Sequence, residues 1–367
     1  MRILEAFGEP ITRGGQEAFV FGIIERLDGY EIDCLTPYSC ENRYYEELTA
    51  NKGGSVYQFG LPFRPGKRRA NIKKPFRKHL SKFEYDVVHI HSGSISVLAI
   101  MAAEANKAGV KKVIVHSHCT GERDSYKHKV LRYLASLSMA RHVDIYCACS
   151  MAAAEWKFTK KYAQCTRIIK NGIDTSLFCY DHQKRVEIRR KFGFSDTTFV
   201  LGTACRFTRQ KNLSFLMEVY AKIAEKKSNS SLILVGDGEE RSELERLAKN
   251  KGLLEKVIFV GSVSNVEVYL QAMDVFVAPS LYEGFCIAGL EALATGLPVV
   301  VSDRVPRDLE ISDRVLFLSL ENGAEAWAEK IMALSFANRQ EGAAIVEQEG
   351  FDIRKTMEEI RDMYGTQ

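Results

Sequence analysis

Three observations predict an α/β protein of two domains. An apolar strand pattern followed by a helical pattern repeats along residues 2–174. The same alternation restarts near residue 197. A length of 367 residues accommodates two such runs. Alternation of this kind builds a parallel sheet with helices on both faces.

The first strand is read at 2–7, and the glycine pair Gly14-Gly15 separates it from a helix over 16–27, where Val20, Ile23, Ile24 and Leu27 share a face. Further strands are read at Val87–Ile90, Val113–Val115 and Ile145–Cys149, with helices at 94–107 and 127–140 between them. The second run opens with a strand at 199–201. Asn212 follows as the N-cap of a helix carrying Leu213, Leu216, Met217 and Tyr220 on one side. Strands are then read at 232–235, 257–260, 275–278, 298–301 and 315–318, and a final helix at 353–364. The expected domains are 1–174 and 197–345, with a polar linker at 175–196 and a C-terminal segment 346–367 returning to the first domain.

Composition narrows the function classes. With 46% hydrophobic and 27% charged residues the chain can bury a core, which excludes a disordered or collagenous protein. No apolar run has the ~18–20 residues of a membrane span, and the start lacks a secretion signal, so the expected compartment is cytoplasmic. Nine cysteines without a C-x-x-C pair fit neither a disulfide framework nor a zinc knuckle. The net charge of +4 divides unevenly. Residues 1–180 carry 27 Lys/Arg against 18 Asp/Glu (+9), and residues 181–367 carry 24 against 29 (−5).

Three motifs carry the chemistry. Residues 279–298 place Glu283 and Glu291 around the expected start of a helix, after a strand at 275–278. Gly284 and Ala288 allow close approach, and the N–H groups of a helix start suit a phosphate. The plain alternative is a dipole-favoured acid and an exposed glutamate. Arg206 and Lys211 follow the strand at 199–204 and could neutralise a diphosphate, or form a solvated basic loop. Gly14-Gly15 lies in the first strand–helix turn without a G-x-G-x-x-G fingerprint.

In this order, the three motifs resemble a family 4 glycosyltransferase of the GT-B fold, in which two Rossmann-like α/β/α domains face each other across a cleft. The resemblance extends through Asp86-Val87-Val88-His89-Ile90-His91, His116-Ser117-His118, Asn171-Gly172-Ile173-Asp174, Val235-Gly236-Asp237-Gly238 and Phe259-Val260-Gly261. It is nearest to bacterial enzymes of exopolysaccharide or capsule synthesis. It implies a retaining transfer from a nucleotide-diphospho-sugar, expected to be a UDP-sugar, to a glycan or lipid-linked acceptor. Arg206 and Lys211 would hold the diphosphate, and Glu291 the ribose hydroxyls. Glu283, with Phe285, Cys286 and Ile287, would hold the transferred sugar. Gly15 would bring backbone near the phosphates, Val263 would meet the base, and His118 would lie beside the donor sugar. Cys286 departs from the family's small residue or proline, and is either alkylatable near the site or a buried small residue.

No D-x-D and no cluster with metal spacing occurs in the sequence, so neither metal nor cofactor is expected. Residues 64–82 hold nine cations and no acid, among them Arg68, Arg69, Lys73, Lys74, Arg77 and Lys78, interleaved with Ile72, Phe76 and Leu80. This stretch reads as an anionic-membrane or acceptor patch, or as a solvated helix face. No nucleic-acid motif is present. A GT-B-fold sugar-nucleotide epimerase and a non-catalytic GT-B subunit are the alternative functions. The intact Arg206, Lys211, Glu283 and Glu291 speak against both.

Overall fold

The computed structural model describes residues 1–12, 14–64, 69–118, 120, 126–334 and 338–365. The chain divides into two compact units, one of residues 1–171 with 354–367, the other of residues 172–353.

The first unit contains strands β1 (Arg2–Phe7), β2 (Glu31–Thr36), β3 (Val56–Gln58), β4 (Val87–His91), β5 (Lys112–Ser117), β6 (Ile145–Ala148) and β7 (Arg167–Ile168). They pair in parallel in the order β3-β2-β1-β4-β5-β6-β7. The second unit contains β8 (Phe199–Ala204), β9 (Ser230–Val235), β10 (Val257–Gly261), β11 (Val275–Ala278), β12 (Val299–Ser302) and β13 (Val315–Leu318), also parallel, in the order β10-β9-β8-β11-β12-β13. Helices cover both faces of a parallel sheet, so its central strands bury every side chain. That is why β4, β11 and β12 read as unbroken apolar or His-containing runs.

The order reverses between β1 and β4 in one sheet and between β8 and β11 in the other. Crevices open beyond the carboxyl ends of the strands at such switch points. The loops that leave β8 and β11 are those carrying Arg206–Lys211 and Pro279–Cys286.

Two boundaries differ from expectation. Residues 175–196 are not a tether, because helix His182–Lys191 lies within them and belongs to the second unit. Its cations satisfy buried carbonyls. Arg185 pairs with Asp274 at 2.5 Å, and Arg189 donates to the oxygens of Ala272 (2.9 Å), Ser195 (2.9 Å) and Thr198 (2.6 Å). The polarity read as a linker is therefore internal bonding. Secondly, residues 346–353 stay with the second unit, and only residues 354–367, the helix Ile353–Tyr364 beyond its first residue and its end, join the first.

That helix is fastened by a buried polar network on one face of the first sheet. Strand register sets Glu5 beside His89, and His91 beside His116. The Tyr364 hydroxyl donates to Glu5 Oε1 at 2.5 Å and lies 2.8 Å from His89 Nδ1. His91 Nε2 lies 2.7 Å from Glu5 Oε2. Replacing Tyr364 with Phe leaves Glu5 buried and short of a donor, so stability falls by about 1–3 kcal/mol in denaturant titrations.

Candidate functional site

The site in the second unit is built by the two loops at the switch point. They are tied to each other through main-chain groups. Leu281 N donates to Gln210 O (2.8 Å), Gln210 Nε2 to Tyr282 O (2.8 Å), and Asn212 Nδ2 to Pro279 O (3.1 Å). Asn212 thus precedes helix Leu213–Lys226 as expected. It does so in the left-handed region (φ 55°), with no side-chain cap, because its amide is used across the loops.

Glu283 is buried at the centre. Its Oε1 accepts from Lys211 Nζ at 2.5 Å and from Ser280 Oγ at 2.7 Å, and its Oε2 lies 3.3 Å from Gln210 Nε2. Burial alone would lower the Lys211 pKa. The attraction of Glu283, with Cys205 and Cys286, more than reverses this, so the ammonium is firmly charged. The structure therefore brings Lys211 and Glu283 together as an oriented ion pair. Arg206, two residues beyond the end of β8, is exposed and makes no ion pair among the described residues. One cation is fixed in position and the other stands open to solvent.

The loop after β9 sets the position of Arg206. Phe207 N donates to Asp237 O (2.8 Å) and Glu240 N to Phe207 O (3.1 Å). A Cβ on Gly236 (φ +127°) would stand 1.9 Å from Cys205 O, and one on Gly238 2.3 Å from Phe207 O. The Gly-Asp-Gly motif is glycine-bound because this backbone crosses at contact distance. Gln210 and Ser280 are site-forming residues that sequence reasoning did not place, and their only signal was adjacency to the motifs. Gly236 and Gly238 stood in a motif of the resemblance, without a role until this backbone crossing supplied one.

Helix Ile287–Ala294 begins between Glu283 and Glu291, as expected, and ends before Gly296, whose φ of +76° and contact with Arg339 exclude a side chain. Ile287 and Ala288 form its half-buried first turn, and Gly284 is buried just before it. Phe285 is stacked on Phe351 at 5.3 Å and is core. Glu291, one helical turn further, is half-buried. Burial pushes its carboxyl up to about 8, with Glu267 adding repulsion. Val263 follows β10, two strands from β8 on the same edge.

Burial likewise drives the Cys286 thiol up to about 12, with Glu283 adding to it, so the thiolate needed for alkylation is scarce at neutral pH. Iodoacetamide should modify the exposed Cys165 and Cys179 and spare Cys286 in the native protein; rapid loss of the Cys286 peptide in mass spectra would contradict this.

In the first unit, Gly14 caps helix Gly15–Arg26 in extended conformation, and both glycines are exposed. Phe19 of that helix packs against the His118 ring at 5.3 Å. His118 Nε2 lies 2.8 Å from His91 Nδ1, and burial holds both imidazoles neutral, His91 at about 3 and His118 well below its ordinary value. His118 is thus fixed by a chain running through His91 to Glu5. Strand register also groups His89, His91 and His116, with ring nitrogens within 4.8 Å, a cluster that sequence spacing did not reveal. These rings already bond one another, Glu5, Tyr364 and His118.

Three cations of the basic stretch, Arg69, Lys73 and Arg77, pair within the first unit itself. Arg69 bonds Gly8 O and Glu9, each at 3.1 Å. Arg77 and Lys73 reach Glu104 at 2.5 and 3.7 Å. Ile72, Phe76 and Leu80 are buried in the core rather than facing outward. The apolar stripe of helix Lys73–Leu80 is therefore core, and the solvated-face reading describes its outer side, where Lys74 and Lys78 are exposed. Arg68 lies outside the described residues. Among the described residues no helix is long and apolar enough to cross a membrane.

Comparison with known proteins gives the geometry its family. Residues 13–177 match the model described as Glycosyltransferase Family 4, and residues 184–342 that described as Glycosyl transferases group 1. A Bacillus subtilis protein named glycosyltransferase EpsF is 28% identical over 97% of this chain and 94% of its own. The Escherichia coli UDP-Gal:alpha-D-GlcNAc-diphosphoundecaprenol alpha-1,3-galactosyltransferase is 28% identical over 78% of this chain and 77% of its own. Among solved structures, Anabaena Alr3699/HepE in complex with UDP and glucose superposes with a TM-score of 0.77, at 20% identity and full coverage of both chains. Matched in both halves and along its whole length, the chain has the GT-B fold and belongs to glycosyltransferase family 4.

Proposed function

We propose that the protein transfers a sugar, with retention of configuration, from a UDP-sugar to a glycan or lipid-linked acceptor in bacterial surface-polysaccharide synthesis. The observation that carries the donor side is the paired cation arrangement at the second switch point, with Lys211 locked by Glu283 and Arg206 open to solvent. A diphosphate brought there meets a charge that needs no reorganisation and a second free to fork onto its oxygens. Leaving-group charge develops on that diphosphate, so cations fixed beforehand favour the transition state over the ground state.

Glu291 would take the ribose hydroxyls, and the first turn of helix Ile287–Ala294 would face phosphate or sugar oxygens. Glu283 acts chiefly as a positioning residue for Lys211, and sugar contact would fall to its neighbours Gly284 and Cys286. His118, neutral and oriented by His91, offers one ring nitrogen to the sugar. The acceptor hydroxyl would attack on the face from which the diphosphate leaves, with the protein supplying position and electrostatics. Charge compensation by Arg206, Lys211 and helix N–H groups makes the reaction independent of added metal, so a chelator should leave turnover unchanged. The UDP named for HepE and the diphosphoundecaprenol acceptor named for the galactosyltransferase support the donor and acceptor classes.

The experiment is transfer of labelled sugar from a panel of nucleotide sugars, with anomeric configuration read by NMR. Glu291 supplies an internal check. A diol binds the carboxylate form, so the donor KM should fall as pH rises through about 8, and Glu291→Gln should raise KM and flatten that dependence. A wild-type KM flat across this range would remove Glu291 from the ribose site.

A further inference from the structure

We propose that helix Tyr126–Met139 seats the first unit on an anionic lipid surface. The helix is turned inside out for a water-soluble protein. Tyr126, Val130, Tyr133, Leu134 and Leu137 recur at helical spacing, and all are exposed, Tyr126 by 81%, Tyr133 by 60% and Leu134 by 56%. The opposite side is the buried one, formed by Ala135, Ser136 and Met139. Arg132 fixes this orientation by donating to Glu155 O (3.0 Å) and Trp156 O (3.1 Å), and His128 stacks on Trp156 at 4.4 Å.

An outward stripe of this size marks an interaction surface. Its chemistry selects the occupant. Lys127 and Lys129 are exposed on either flank of the stripe, and the helix carries no acid. Exposed tyrosines and aliphatic side chains with lysines on the flanks match the chemistry of a bilayer interface, where apolar side chains enter the acyl boundary and cations meet anionic headgroups. The contrast with helix Lys73–Leu80 is direct. Both are basic and amphipathic, but the apolar side of that helix is core, whereas the apolar side of Tyr126–Met139 faces out. The inference rests for its purpose on a lipid-linked acceptor. Docking here would hold the acceptor-side unit at the surface where such a lipid resides.

The test is co-sedimentation of the full chain with vesicles of phosphatidylcholine alone and with added phosphatidylglycerol, without any turnover assay. Wild-type protein should bind the anionic vesicles and bind neutral ones far less. Leu134→Glu combined with Leu137→Glu should lower binding by about tenfold or more. Lys127→Glu with Lys129→Glu should abolish the preference for phosphatidylglycerol. Lys74→Glu with Lys78→Glu should bind like wild type. Each variant is also checked for a UDP-induced thermal shift, which reports the second unit and is expected to persist. Loss of that shift in wild type would refute the proposed donor and leave the vesicle result readable. The inference is overturned if wild type ignores anionic vesicles, or if the leucine variant binds them unchanged. It is also overturned if light scattering shows a wild-type dimer that the leucine variant dissolves without vesicle binding.

Discussion

Lys211→Ala should lower kcat by about 10²–10³-fold, the loss that follows removal of one preorganised donor to developing negative charge. The effect has two parts, and they can be separated. Deleting the ammonium removes a charge aimed at the diphosphate. It also strands Glu283, a buried carboxylate whose Oε1 is held at 2.5 Å by Lys211. An uncompensated buried charge costs about 3–5 kcal/mol, so the variant should melt earlier as well. Glu283→Gln distinguishes the roles. It keeps the shape and the Ser280 contact but frees Lys211 from its orienting acid. If Glu283 positions Lys211, the Gln variant loses turnover while retaining the cation. If only stability fell and kcat in the folded fraction stayed near wild type, the site assignment would be wrong. Arg206→Ala should be cleaner, because the exposed guanidinium makes no ion pair among the described residues, so no acid is stranded. Turnover should fall by a similar factor with little change in stability.

The second large effect is acid lability of the first unit. Burial depresses His89, His116 and His118 well below the ordinary value, His91 to about 3 and His79 to about 4. The unfolded chain titrates these rings near 6.5. Below that pH the unfolded state binds more protons than the folded one. The stability these groups contribute is therefore complete above about 6.5 and is lost as pH falls toward their folded values. Each ring adds a slope of up to about 1.4 kcal/mol per pH unit in that window. Glu5 acts in the opposite sense. Burial raises its carboxyl, against the pull of His89 and Tyr364, so the folded state gains that proton first and offsets part of one ring's loss. Urea midpoints measured from pH 7.5 to 5 should fall steeply below 6.5. A flat wild-type profile would contradict this effect of burial.

Much of the fold was legible because buried parallel strands leave apolar runs that need no context. The strands that escaped were β2, β3 and β7. β2 reads as polar through Glu31 and Asp33, yet Asp33 is buried and bonded to Arg2, Ser55 N and the Tyr85 hydroxyl. β3 and β7 have three and two residues. At the site, residue types and loops were readable, but the pairing of Lys211 with Glu283 was not. It spans 72 positions and depends on β8 lying beside β11, a non-consecutive neighbour. Periodicity has a matching blind spot. It finds an apolar stripe and cannot say which way the stripe faces. Hence Lys73–Leu80 reads as a membrane element although its stripe is core, and Tyr126–Met139 reads as an ordinary helix although its stripe is exposed.

The proposed function turns on capture of a nucleoside diphosphate group by the Arg206 and Lys211 pair without metal. Its most direct measurement is the melting temperature of the intact protein with UDP, in the presence of a chelator. A ligand at about 100 times its Kd stabilises the native state by about 2.7 kcal/mol. Wild type should show a clear upward shift that is lost in Arg206→Ala. No shift with UDP or any other nucleoside diphosphate, or an equal shift in Arg206→Ala, would contradict it.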